Sequence, residues 1–180
     1  MTAAPTPRLL PIEELNRLPF DGVAEALRPL FEAADPLAAR LATGRPYASY
    51  VDLLDRADFL VEQLPPDEQI AVVNAHPRIG ESATAVRETS ALSYREQGYD
   101  AESAMPAERL ERLYADLARL NAEYEARFGF RFVVFVNGRS KAEILEVLKE
   151  RLTRPRDEEL RAALLDMLAI ARDRLSKLTG

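Results

Sequence analysis

Apolar residues recur along this chain at spacings of three and four, the period of a helix packed on one side. Tyr50, Leu53, Leu54, Ala57, Leu60, Val61 and Leu64 form one such set, and Pro65-Pro66 ends it. Pro66-Asp67-Glu68 suits the first turn of a following helix, because proline lacks only an amide that would be orphaned there and acidic side chains favour a helix N-terminus. That helix carries Ile70 to Val73 and runs into His76-Pro77. Ile12 to Leu18 and Val23 to Ala34 predict two shorter helices, interrupted by Asp35-Pro36. The longest pattern is Pro106 to Phe128, with Leu110, Leu113, Leu117, Leu120 and Tyr124 in one stripe and charges opposite. Ser140-Lys141-Ala142-Glu143 has the spacing of a capping box and opens a helix through Ile144, Leu145, Leu148 and Leu152. After Arg154-Pro155 a last helix starts at Asp157 and buries Leu160, Leu164, Leu168, Ala171 and Leu175.

Phe130 to Val136 (FRFVVFV) breaks this period. It is β-branched and aromatic, as strands are, but it is the only such run, and a lone strand has no ladder partner. It therefore reads as a buried extended or short helical segment between Gly129 and Gly138. The fold class expected is all-α: a flexible tail over residues 1–10, then one compact helical domain over 11–180.

Composition narrows the chemistry. The chain has 180 residues, no cysteine, one histidine and a net charge of -6. The negative balance argues against a nucleic-acid surface. Without cysteine there are no thiol nucleophiles, disulfides or Cys-based zinc sites. One histidine with scattered carboxylates offers no ligand cluster for a transition metal, so no metal is expected. No apolar run approaches the length of a membrane span, and the N-terminus has no signal-peptide core. Ser176-Lys177-Leu178 is followed by Thr179-Gly180 and so is not a terminal peroxisomal address. The location expected is cytoplasmic.

The single imidazole sits in His76-Pro77-Arg78-Ile79-Gly80-Glu81. A helix end closed by proline and glycine accounts for these residues without chemistry. The functional reading is that Pro77 fixes the turn beside the imidazole and Gly80 allows close backbone approach to a ligand. The Ile79 and Gly80 amides then face an anion. Ser93-Tyr94-Arg95-Glu96-Gln97 has capping-box spacing and equally reads as a helix start. Alternatively, Ser93, Glu96 and Gln97 share one face and present a hydroxyl, a carboxylate and an amide to a polar ligand. The apolar run ends in Asn137-Gly138-Arg139-Ser140, which is either core leading into a cap or a dry wall delivering Asn137 and Arg139 to a pocket. Arginine suits a carboxylate because its fork binds both oxygens.

Taken together, these segments resemble the 2-oxo-4-hydroxy-4-carboxy-5-ureidoimidazoline (OHCU) decarboxylase family of the urate-to-allantoin pathway. The resemblance runs from about Leu18 to Leu175. It is carried by His-Pro-x-x-Gly at His76, Ser-x-x-Glu-Gln at Ser93 to Gln97, and Asn121-x-x-Tyr124-x-x-x-Phe128-Gly129-Phe130-x-Phe132. It implies an all-helical, generally dimeric enzyme that needs no cofactor or metal and converts OHCU to (S)-allantoin and CO2. It also implies a functional link to urate oxidase and hydroxyisourate hydrolase.

By position, the resemblance makes His76 the catalytic imidazole and Glu96 its acidic partner. Pro77, Ser93 and Gln97 line the substrate site. Backbone around Ile79 and Gly80, and along Phe132, Val134 and Val136, holds the ring and ureido group. Many members carry an arginine where Asn137 stands. Either Asn137 binds substrate as a neutral donor, with Arg139 or Arg78 supplying the charge, or this branch acts on a related ureido or hydantoin substrate. The first reading predicts that Arg139→Ala costs more activity than Arg131→Ala. A non-catalytic helical interaction module that kept the fold is the competing class.

Overall fold

The computed structural model describes residues 8–99 and 106–179, with only the backbone of Thr89. Among the described residues there are ten helices and no strand, so the fold is all-α. In chain order they are α1 (Ile12–Arg17), α2 (Phe20–Phe31), α3 (Asp35–Thr43), α4 (Tyr50–Gln63), α5 (Pro66–Asn74), α6 (Ala83–Thr89), α7 (Ala91–Glu96), α8 (Ala107–Phe128), α9 (Lys141–Arg151) and α10 (Arg156–Thr179). Asp35-Pro36, expected as an interruption, is instead the first turn of α3, where a proline is tolerated. The expected tail falls mostly on residues 1–7, outside the described residues. At Leu10 the chain is already tied down, its carbonyl accepting from the Tyr50 hydroxyl at 2.8 Å.

The chain forms two compact units. One holds the residues up to Ala75 together with those from Met167 onward, and the other is His76–Asp166. The first unit buries Leu27, Leu30, Phe31, Leu37, Leu41, Leu53, Leu54 and Val61, the apolar faces of α2, α3 and α4. Arg172 bridges Asp55 and Asp58 of α4. Arg174 is fully buried and pairs with Glu32 at 2.7 Å.

The second unit is organised on α8. Leu113, Leu117, Leu120, Tyr124 and Phe128 are buried along one face, as the stripe predicts, and Leu110 is partly exposed. Tyr124 packs against Phe128, Phe130 and Phe132 with ring centres 4.5, 5.8 and 5.3 Å away. Its hydroxyl donates to Glu159 at 2.7 Å, and Arg151 donates to the same carboxylate oxygen at 2.7 Å.

The run from Phe130 to Val136 is extended and mostly buried, without a ladder among the described residues. Side chains take over part of the ladder's work. Val133 O accepts from Arg151 at 2.9 Å, Val136 O accepts from Arg139 at 3.1 Å, and Phe135 O also accepts from Arg139. The Phe135 amide bonds to Asp166. Buried backbone groups must be paired, and here arginines and a carboxylate pair them. The Ser140–Glu143 capping box opening α9 is present as expected.

Candidate active site

α5 ends at Asn74, and His76 precedes a proline, which drives it out of helical backbone. His76 is 3% exposed, and Pro77 and Ile79 are buried with it. The His76 carbonyl accepts from Arg131 at 3.0 Å. Beyond it the loop lies along α8. Arg78 makes a two-pronged ion pair with Glu125, at 2.7 Å for its second prong, and also reaches Glu81 at 3.2 Å. The Ile79 carbonyl accepts from Asn121 Nδ2 at 2.9 Å. Gly80 has φ +80°, a left-handed backbone that favours glycine.

The ion pair sets the charges here. The hydrogen bond to Glu125 leads the effects that hold the Arg78 guanidinium protonated more firmly than usual. The same bond holds the Glu125 carboxyl below the ordinary carboxylate range, against partial burial.

The second motif meets the same loop through Gln97. Its Nε2 donates to the Arg78 carbonyl and its Oε1 accepts from the Gly80 amide, each at 3.4 Å. The Tyr99 hydroxyl donates to the Glu81 carbonyl at 2.7 Å and lies 3.1 Å from Gln97 Oε1. Lys141, only 7% exposed, donates to the Gln97 carbonyl at 2.7 Å with its ammonium 3.7 Å from the Tyr99 ring centre. Gln97 caps the C-terminus of α7, so Lys141 satisfies a carbonyl that the helix leaves orphaned.

Of the two readings of Ser93, the one that makes it a helix start is corrected by the structure. α7 begins at Ala91 because Ser90 is its cap, accepting from the Ser93 amide at 3.0 Å. Ser93 is thereby buried inside the helix, and Glu96 is its last residue, partly exposed. Phe132, Val134 and Val136 are buried in the extended segment.

Asn137 is exposed in a turn with Gly138, both at positive φ (47° and 74°), closed by Arg139 N to Val136 O at 3.0 Å. Asparagine and glycine are the residues that such a turn favours, so the backbone supplies its own reason for Asn137. Arg139 folds back onto the carbonyls of Phe135 and Val136.

A cavity of about 320 Å³ lies beside the loop, walled by Arg78 to Glu81 and by Ala118, Asn121, Ala122 and Glu125. His76, Ser93 and Glu96 are not among its walls. Sequence reasoning passed over Asn121, Arg131, Tyr99 and Lys141 as contributors to this region. Asn121 figured only as the first residue of the third motif, and its position a helical turn from Leu117 on the buried side of α8 was the further signal.

A family model described as OHCU decarboxylase matches residues 16–176. The chain is 31% identical over 165 residues to the uric acid degradation bifunctional protein PucL of Bacillus subtilis (strain 168), covering 92% of this chain and 32% of that protein. It thus spans about a third of the length of that relative and of a second bifunctional one. It is 27% identical to the 2-oxo-4-hydroxy-4-carboxy-5-ureidoimidazoline decarboxylase of Haloferax volcanii, covering 93% of this chain and 95% of that protein. A crystal structure of OHCU decarboxylase in the presence of (S)-allantoin shares the fold, with a TM-score of 0.66 over 85% of this chain and 97% of that one at 22% identity. The order of motifs along the chain, the all-helical fold and the match over residues 16–176 agree: the chain belongs to the OHCU decarboxylase family.

Proposed function

We propose that this protein decarboxylates OHCU to (S)-allantoin and CO2 in urate degradation, as a cofactor-independent carboxy-lyase with His76 as its proton carrier. The observation that carries the reading is the meeting of two motifs on one buried loop. Gln97, from the second motif, docks on the backbone of Arg78 and Gly80, in the loop that directly follows His76-Pro77. The relatives named OHCU decarboxylase, and the bifunctional protein named for uric acid degradation, support the substrate class.

The chemistry asks little of the protein beyond placement. The bond between the carboxylate and the ring breaks, CO2 leaves, and the electron pair stays on ring carbon, delocalised into the adjacent ring amide. The substrate is its own electron sink. The protein orients the carboxylate, excludes water and stabilises developing charge. It then delivers one proton to one face of the ring, which fixes the product's chirality. In this reading His76 delivers that proton and Glu96 keeps the imidazole supplied. Ser93, Gln97 and the backbone of the loop and of the Phe132–Val136 stretch hold the ring and ureido group. Charge complementarity to the substrate carboxylate falls to the arginines near the loop, with Asn137 as a neutral donor. The proposed enzyme is a cytoplasmic homodimer that works alongside urate oxidase and hydroxyisourate hydrolase.

The test uses freshly generated OHCU and follows allantoin by circular dichroism. Wild-type protein is expected to give (S)-allantoin faster than the spontaneous reaction, and His76→Asn to give racemic product at the spontaneous rate. Racemic product at the spontaneous rate from the wild type would reject the activity in favour of a non-catalytic module.

A further inference from the structure

The loop after His76 meets α8 in register. Gly80 lies on Leu117, so closely that a Cβ on Gly80 would come 2.9 Å from Leu117 Cδ1. The Ile79 carbonyl accepts from Asn121, and Arg78 pairs with Glu125. Leu117, Asn121 and Glu125 are spaced by four and so form one line along the helix. Three consecutive loop residues, running in the opposite direction, are received by three successive turns.

The middle position is the unusual one. Leu117 offers packing and Glu125 an ion pair at the partly exposed edge, but Asn121 is 4% exposed beside an apolar stripe. Its Nδ2 is committed to the Ile79 carbonyl, while its Oδ1 is buried with no hydrogen-bond partner among the described residues. Turning the amide over would set oxygen against oxygen. A leucine would remove the orphaned Oδ1 but would also take away the donor to the Ile79 carbonyl, and orphaned buried acceptors are costly. The chain keeps an amide here for a single bond to the loop.

We propose that Asn121 is a positioning residue for the decarboxylation. By holding the Ile79 carbonyl, together with Arg131 on the His76 carbonyl, it sets where the imidazole stands. The proposal rests on the reading of His76 as proton carrier. In this role Asn121 acts through the loop carbonyl it holds.

The test is Asn121→Leu, measured in three ways on the full chain. His76 is the only histidine, so its imidazole NMR signals need no assignment. The expected result is a kcat lower by roughly tenfold or more, a KM changed much less, a reduced excess of (S)-allantoin and displaced imidazole signals, all in a protein with wild-type far-UV circular dichroism. Wild-type kcat would overturn the proposal, and so would a fall in kcat with the imidazole signals unmoved. If Asn121→Leu does not fold, Glu125→Gln disturbs the same line from its partly exposed end. It is expected to move the imidazole signals and lower kcat, and unmoved signals would overturn the proposal. A wild-type protein inactive on OHCU would reject the proposed activity itself, while the imidazole signals would still decide whether Asn121 governs the loop.

Discussion

Gly80→Ala and Gly129→Ala form a matched pair that weighs the contact between the loop and α8. Both glycines have nearly the same φ, +80° and +81°. Their surroundings differ. A Cβ at Gly80 would lie 2.9 Å from Leu117 Cδ1 and 3.0 Å from Leu117 Cβ, whereas a Cβ at Gly129 would meet nothing within 4 Å. Alanine in left-handed backbone costs about 1 kcal/mol or somewhat more. That is the whole expected cost at Gly129, the residue that closes α8. At Gly80 the overlap adds about 1–3 kcal/mol, because a Leu117 side chain buried to 0% exposure has little room to retreat. The expected totals are roughly 2–4 kcal/mol for Gly80→Ala and about 1 kcal/mol for Gly129→Ala. Urea titration at neutral pH reads the difference as a shift of midpoint at constant slope. Decarboxylation should fall in Gly80→Ala, where the loop must lift off α8, and persist in Gly129→Ala. Equal destabilisation of the two variants would refute the reasoning, since Leu117 would then be yielding without cost.

Two further outcomes follow from the ties on the loop and on the extended segment. Arg131 holds the carbonyl of His76 itself, while Arg139 is folded onto Phe135 and Val136. Arg131→Ala is therefore expected to lower kcat at least as much as Arg139→Ala in the same allantoin assay. Loss of activity confined to Arg139→Ala would restore the ordering that the sequence suggested. Glu125 gives a pH signature. Its carboxyl pKa is lowered in the folded protein, chiefly by the Arg78 hydrogen bond, so the stabilisation is complete above the unfolded value of about 4.3 and fades as pH falls through the lower folded value. The stability gap between wild type and Glu125→Gln should be constant from neutral pH to about pH 5 and narrow below about pH 4. A gap that widens on acidification would exclude this pairing.

The sequence by itself determined the helices whose apolar period is long. It placed α4, α8 and the start of α10, because burying one face of a helix demands that spacing whatever the neighbour is. It placed the Ser140–Glu143 cap, which is a contact between residues three apart. It also singled out His76 at the junction of helix and loop, because a histidine before a proline cannot continue a helix. Short-range signals failed where two local solutions compete. Ser90 and Ser93 both offer a cap, and the earlier one starts α7.

Only the tertiary structure decided how the long-range partners are shared. Phe130 to Val136 has the composition of a strand, yet its carbonyls are taken by Arg139 and Arg151, the latter 18 residues beyond Val133. Nothing local to the segment could announce that. The register of Arg78, Ile79 and Gly80 on Glu125, Asn121 and Leu117 joins residues some forty positions apart. It exists because a left-handed glycine, a buried amide and an ion pair come into line only once α8 is folded.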